Sequence, residues 1–224
     1  VAEILRAMKD NTIGGEILLI THAAFMQLKG GRIKQNWHVI MDEVPSVDDY
    51  IALNLGDHHK LITNQLYKDN NGNGYSRLMS DPTVQLKPEN IPLSRIAKNK
   101  KEDGVSGYLQ LAAQRLISTN WEVYTRPEKY INLLNGDPKT NQLGIHCVLT
   151  PKIFAHYKQV TIASALFYDS VLYKLWSKQG WATFRKCNDS LRKSLRYQEH
   201  KNGWDLTINY LMDKPWSKNL RDKP

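Results

Sequence analysis

The sequence predicts an α/β fold in which a mostly parallel sheet is flanked by helices and carries a mixed α+β insertion. Three short apolar runs lead to this prediction, at residues 16–21, 36–42 and 159–165, and each ends in polar residues. Short apolar runs bounded by turn residues are typical of strands buried in a parallel sheet. Segments with helical spacing follow these runs, which is the order of elements in βαβ units.

The first part of the chain contains two of these strands. We expect a helix, a strand, a short helix, a strand and a helix at residues 1–10, 16–21, 23–28, 36–42 and 46–55. The last helix is predicted because Ser46 is a good N-cap and Asp49 follows three residues later.

Residues 57–150 differ in character and are predicted to be an insertion. Asn, Gly and Pro are frequent before residue 93, and we expect the stretch 68–76 to be a loop. An amphipathic helix is predicted over residues 105–118, because apolar residues recur there at helical spacing. Strands are predicted at residues 121–124, 130–134 and 143–149, forming a small antiparallel sheet outside the main one.

The last part of the chain returns to the α/β pattern. We expect a short helix, a strand, a helix and a strand at residues 151–157, 159–165, 168–178 and 205–211. The predicted core consists of residues 1–56 and 151–203, and the insertion between them is 57–150. Residues 204–224 are predicted to begin a further domain.

Composition limits the class of protein. The 224 residues carry a net charge of +9, which favours a polyanionic partner such as nucleic acid. No run approaches the ~18 apolar residues of a membrane span. Cys147 and Cys187 are the only cysteines, so neither a disulfide framework nor a zinc site is indicated and a cytoplasmic setting is expected. The chain begins without Met inside a helical pattern, which suggests an excised fragment.

The strongest chemical signal is the acidic pair Asp42 and Glu43. These residues close the apolar run 36–42 and precede Pro45. In open α/β sheets, ligands bind beyond the carboxyl ends of the strands. A strand that ends in two carboxylates matches a Walker B motif, in which the Asp binds Mg²⁺ and the Glu polarises the attacking water.

Three segments together resemble the first RecA-like domain of superfamily 2 helicases, a DEAD-like group of P-loop NTPases. The segments are THAAF, DEVP and ASALF, at residues 21–25, 42–45 and 163–167. Helicases of bacteriophage type are the nearest group. The resemblance implies ATP hydrolysis coupled to movement on nucleic acid, DNA more than RNA, in the cytoplasm of a cell or of a viral host.

The resemblance assigns a role to each matching residue. It implies that Asp42 binds Mg²⁺ with ATP and that Glu43 is catalytic. Thr21 and His22 would contact a nucleic-acid phosphate. Ser164 and Ala165 would form the motif that couples the ATP site to the nucleic-acid site.

The chain departs from the family pattern in three ways. It contains no GxxxxGK[ST] phosphate-binding loop, the Walker A motif, which the family places before the TH segment. The acidic box reads DEVP, so its fourth residue cannot make the family's usual side-chain link. The segments ending at Pro45 and beginning at Ala163 are also much farther apart than the family pattern has them.

Two other functions fit the same residues. One is a non-enzymatic nucleic-acid-binding module, with the net charge and exposed aromatic rings as its binding features. Packing of a small sheet is the simpler interpretation of Trp121, Tyr124 and Tyr130. The other is a metal-dependent nuclease that would use Asp42 and Glu43 with a further carboxylate such as that of Asp169.

Overall fold

The computed structural model describes residues 1–10, 14–28, 31–54, 56–70, 74–85, 91–100, 102–137, 139–140 and 142–194. Its strands are β1 (His38–Asp42), β2 (Asp48–Asn54), β3 (Leu66–Asn70), β4 (Ser76–Ser80), β5 (Trp121–Thr125), β6 (Gln142–Leu149) and β7 (Gln159–Ala163). Its α-helices are α1 (Ala2–Asp10), α2 (His22–Met26), α3 (Lys60–Thr63), α4 (Pro82–Gln85), α5 (Leu93–Lys98), α6 (Gly104–Ile117), α7 (Pro127–Leu134), α8 (Val171–Lys178) and α9 (Asp189–Lys193). Short 3₁₀ helices lie at Arg32–Asn36, Gly56–His59, Pro151–Phe154 and Phe167–Asp169.

The chain divides into two compact units, residues 1–183 and 184–224. In the described part of the first unit, five strands form a sheet with the order β2-β6-β5-β4-β3, and every neighbouring pair in it is antiparallel. We call it the five-stranded sheet. The described part of the second unit contains α9.

One face of the five-stranded sheet is covered by helices. Ile51, Ile145 and Val123 on its strands are buried in one cluster with apolar residues of α5, α6 and α7. Helix α6 begins at its N-cap Asp103, whose side chain accepts a hydrogen bond from the Ser106 amide at 2.7 Å. An N-cap acceptor satisfies one of the amides left open at the start of a helix.

Strands β1 and β7 form a separate parallel pair. Their register places His38 opposite Gln159 and Asp42 opposite Ala163. The Lys158 amide extends the ladder by donating to the Trp37 carbonyl at 3.0 Å. The Trp37 indole in turn donates to the Met8 carbonyl at 3.1 Å, which ties α1 to the start of β1.

The predicted fold class is wrong. The sheets are a five-stranded antiparallel sheet and a two-stranded parallel one, instead of a mostly parallel RecA-like sheet. The reason is that the strands of the predicted insertion, joined by β2, form the larger sheet. Two of the three runs that were predicted to share one parallel sheet, 36–42 and 159–164, do lie together in parallel as β1 and β7.

Three predicted elements are also wrong. Residues 48–54 are strand β2 instead of a helix, because buried Ile51 and Leu53 alternate with outward-facing side chains. The Ser46 hydroxyl donates to the Asp48 carbonyl at 3.0 Å instead of capping a helix. Residues 130–134 lie in helix α7, where Pro127 occupies the first turn, a position that favours proline.

The third wrong element is the strand at residues 16–21. The structure assigns no strand there, and the side chains of Ile17 and Leu19 are 87% and 90% exposed. The predictions of α6, β5, β6 and β7 are confirmed to within a few residues. Within the predicted loop 68–76, residues 68–70 and 76 belong to β3 and β4, which form a hairpin. The strand predicted at 205–211 lies outside the described residues.

Candidate functional site

The acidic pair lies at the carboxyl end of the parallel pair. Met41 on β1 is buried, whereas Asp42 and Glu43 are exposed. The amide of Glu43 donates a hydrogen bond of 2.8 Å to the carbonyl of Ala163 on β7. This bond continues the ladder past the last strand residue and fixes the backbone of Glu43 against that of Ala163.

Both strands of the pair end in unusual backbone. Glu43 has a φ of 81° and Leu166, three residues after the end of β7, has a φ of 51°. Residues other than glycine seldom adopt this left-handed backbone region, and those that do cluster at functional sites. The outlier at Glu43 directs attention to the residue that the sequence marks as catalytic.

Ser164 and Ala165 follow β7 directly, so the parallel pair brings the predicted coupling motif next to the acidic pair. The Ser164 hydroxyl donates to the Ala165 carbonyl at 3.1 Å. The chain then enters α8, whose N-cap Ser170 accepts a hydrogen bond from the Tyr173 amide at 3.1 Å. The strand end, the coupling residues and a capped helix therefore follow one another within a short stretch.

Thr21 and His22 begin helix α2. The Thr21 hydroxyl accepts a hydrogen bond from the Ala24 amide at 3.2 Å, so it acts as the N-cap of that helix. Phe25 anchors the helix, since it is buried and its ring stacks on that of Tyr157 with centroids 5.8 Å apart.

A cleft of about 340 Å³ lies between α2 and the segment that follows the acidic pair. His22 lines one side, and Pro45 and Ser46 line another. Asp42 and Glu43 are not part of its lining. The structure thus brings His22 beside the continuation of the DEVP segment, while the carboxylates open onto the surface.

The cleft is also lined by Arg115, which the sequence did not indicate. Arg115 forms an ion pair of 3.3 Å with Asp49, and its guanidinium lies over the Trp121 ring, 3.9 Å from the centroid. Its Nε is buried and has no hydrogen-bond partner among the described residues. The alternation of buried Ile51 and Leu53 could have revealed Asp49, since it predicts a strand that turns Asp49 toward α6.

The acidic pair fits Mg²⁺ only as part of a larger ligand set. Within the described residues, no group of three or more His, Cys, Asp or Glu side chains could hold a metal ion. Mg²⁺ is usually bound through one or two carboxylates together with waters and substrate phosphates. Exposed Asp42 suits that mode. Asp169, the third carboxylate of the nuclease hypothesis, instead lies 3.6 Å from the Lys174 ammonium.

Comparison with protein-family models, curated proteins and solved structures found no match to this chain. No helix within the described ranges has both the length and the apolar character that crossing a membrane requires.

Proposed function

We propose that this chain is part of an ATP-dependent nucleic-acid helicase or translocase. The observation that carries the proposal is the hydrogen bond between the Glu43 amide and the Ala163 carbonyl, at the carboxyl end of the parallel pair. It joins the acidic pair to the segment that contains Ser164 and Ala165. A helicase needs this proximity because ATP hydrolysis has to be transmitted to the nucleic-acid site.

Each residue has a defined chemical part in this proposal. Asp42 would hold Mg²⁺, which neutralises charge on the ATP phosphates when it is bound. Glu43 would accept a proton from the attacking water. Ser164 would couple the ATP site to the segment leading into α8. Thr21 and His22 would contact a phosphate of the nucleic acid.

The proposed chemistry requires a phosphate-binding loop, and the 224 residues contain no GxxxxGK[ST] sequence. Such a loop supplies the backbone amides and the Lys that surround the β- and γ-phosphates. A longer polypeptide that adds the loop to this chain is therefore the system in which turnover can be measured.

The test of the proposal compares the two forms. The chain alone should show no ATP turnover and should bind oligonucleotides in a salt-sensitive way, because Lys and Arg release counterions from the phosphates. If about three phosphates are neutralised, affinity should fall by about 10-fold or more between ~50 and ~200 mM salt. The longer polypeptide should hydrolyse ATP faster when single-stranded nucleic acid is added.

Fluorescence anisotropy measures the binding, and phosphate release measures the turnover. ATP hydrolysis by the chain alone would show that the phosphate loop is not required and that the assignment of roles is wrong. Turnover in the longer polypeptide that does not respond to any nucleic acid would contradict the helicase proposal.

A further inference from the structure

The five-stranded sheet has a second face that helices α5, α6 and α7 do not cover. Side chains alternate between the two faces of a strand. Because Ile51, Ile145 and Val123 point into the helical core, Tyr50, His146 and Tyr124 point to the other side. We call this side the open face.

A row of polar and aromatic side chains crosses the open face. Tyr50 on β2 pairs with His146 on β6, His146 pairs with Tyr124 on β5, and Tyr124 pairs with Arg77 on β4. These pairs are direct cross-strand neighbours, which brings their side chains close enough to contact. The row therefore presents adjoining side chains on hydrogen-bonded strands.

The rings contact each other and remain accessible. The Tyr50 and His146 rings lie 4.7 Å apart, and the Tyr75 ring stands edge-on to His146 at 5.2 Å. Tyr50 and Tyr75 are 56% and 37% exposed. The ring of Tyr50 extends over Gly144, where a Cβ atom would come within 2.7 Å of the Tyr50 hydroxyl oxygen. Glycine at position 144 thus allows Tyr50 to lie along the sheet.

Two arginines lie beside the rings, Arg77 on β4 and Arg126 directly after β5. Arg77 forms an ion pair of 3.0 Å with Glu122, and the Tyr124 hydroxyl donates to the same carboxylate at 2.6 Å. Burial lowers the pKa of His146, and the charge of exposed Arg126 lowers that pKa further. His146 is therefore favoured in its neutral form, in which its ring can stack as an aromatic group.

The described strands turn three carboxylates to this face, those of Glu122, Asp69 and Asp48. Glu122 is engaged by Arg77, and Asp69 lies opposite Arg77 in the register of β3 and β4. Asp48 at the edge strand β2 is exposed. Arg126 forms no ion pair with any residue that the structure describes, which leaves its charge for a partner.

We infer that the open face binds single-stranded nucleic acid by stacking bases on Tyr50, Tyr75 and His146. Aromatic side chains on an open antiparallel sheet can stack two or three unpaired bases, and basic side chains nearby hold the backbone. Arg126 is the side chain that would contact a phosphate. The inference rests on the proposed function for its class of ligand and adds a binding surface separate from Thr21 and His22.

The test measures anisotropy of a labelled oligothymidylate bound to the full chain. A double variant, Tyr50→Ala with Tyr75→Ala, should bind about 10-fold or more weakly, since each stacked base contributes substantially to affinity. The matching double Phe variant keeps both rings and should bind within about 2-fold of the parent. Ile131→Ala is the control, because Ile131 is 43% exposed and lies on α7, which covers the opposite face of the sheet.

The outcomes separate this inference from the proposed function. If the double Ala variant binds like the parent while His22→Ala binds weakly, nucleic acid binds at α2 and not at the open face. A double Phe variant as weak as the double Ala variant would contradict stacking and indicate hydrogen bonding by the hydroxyls. If the face binds a protein partner and no oligonucleotide, the inference is wrong. ATP turnover in the longer polypeptide still tests the proposed function in that case.

Discussion

Replacing Glu43 by glutamine should reduce ATP turnover by about 100-fold or more in the longer polypeptide that supplies the phosphate loop, which is the scale of a lost general base. Glutamine keeps the shape of the side chain and can still hydrogen-bond water, but it cannot accept the proton. The backbone bond from residue 43 to Ala163 is unaffected by the change. ATP binding should therefore be preserved while the chemical step slows.

Asp42→Asn provides the contrast. A hard cation prefers a charged oxygen ligand. This change should therefore weaken Mg²⁺-dependent nucleotide binding more than it slows the hydrolysis of bound ATP. Single-turnover hydrolysis and a Mg²⁺ titration separate the two effects. Glu128→Gln is the control, since Glu128 is an exposed carboxylate on α7, outside the parallel pair and the cleft.

If both carboxylate variants hydrolyse ATP at the parental rate, Asp42 and Glu43 are the solvated end of a strand and have no catalytic part. The left-handed backbone at Glu43 would then need another explanation.

Replacing Trp176 by alanine should lower the free energy of unfolding by about 3–5 kcal/mol, the range for buried aromatic side chains. Trp176 is 1% exposed, and its indole nitrogen donates to the Leu149 carbonyl at 2.8 Å. Its ring also packs edge-on against Phe154, with centroids 5.9 Å apart. The side chain therefore connects α8, which follows β7, to the end of β6.

Urea denaturation followed by circular dichroism measures this change. Trp176→Phe keeps most of the apolar contact and loses the hydrogen bond, so it should cost much less, on the order of 1–2 kcal/mol. A loss below about 1 kcal/mol for the alanine variant would mean that the cavity collapses without consequence and that Trp176 is not a major link between β6 and α8.

The local elements with one clear period could be predicted from the sequence. The apolar spacing of residues 105–118 predicts helix α6, and a short apolar run bounded by polar residues predicts β7. Residues 36–42 and 159–164 were expected to share one parallel sheet with their carboxyl ends at the same edge, and β1 and β7 meet that expectation.

The fold class could not be predicted because competing local signals favoured another structure. Ser46 and Asp49 are typical of a helix start, whereas the alternation of buried Ile51 and Leu53 is typical of a strand. Pairing with β6 stabilises the strand, so the segment forms β2. In α7, Tyr130 suits a strand by propensity, but the Pro127 turn and burial at positions 130 and 133 favour a helix. Intrinsic propensity predicts secondary structure poorly where tertiary packing overrides it.

The candidate site was found only in part for the same reason. Asp42, Glu43 and Ser164 lie on elements that were predicted correctly, so their proximity was expected. Arg115 and Tyr50 depend on β2 being a strand, and its prediction as a helix hid both the cleft and the open face.

The parallel pair also constrains the order in which the chain folds. All strands of the five-stranded sheet lie between β1 and β7 in the sequence, so pairing β1 with β7 closes a loop that contains that whole sheet. Closing a long disordered loop is slow and entropically unfavourable, whereas the antiparallel neighbours β3 and β4 form a local hairpin. We therefore expect pulsed hydrogen exchange to show protection of Ile145 before that of the Glu43 amide. The contact between the acidic pair and Ala163 would then be a late event in folding, and simultaneous protection of the two amides would contradict this order.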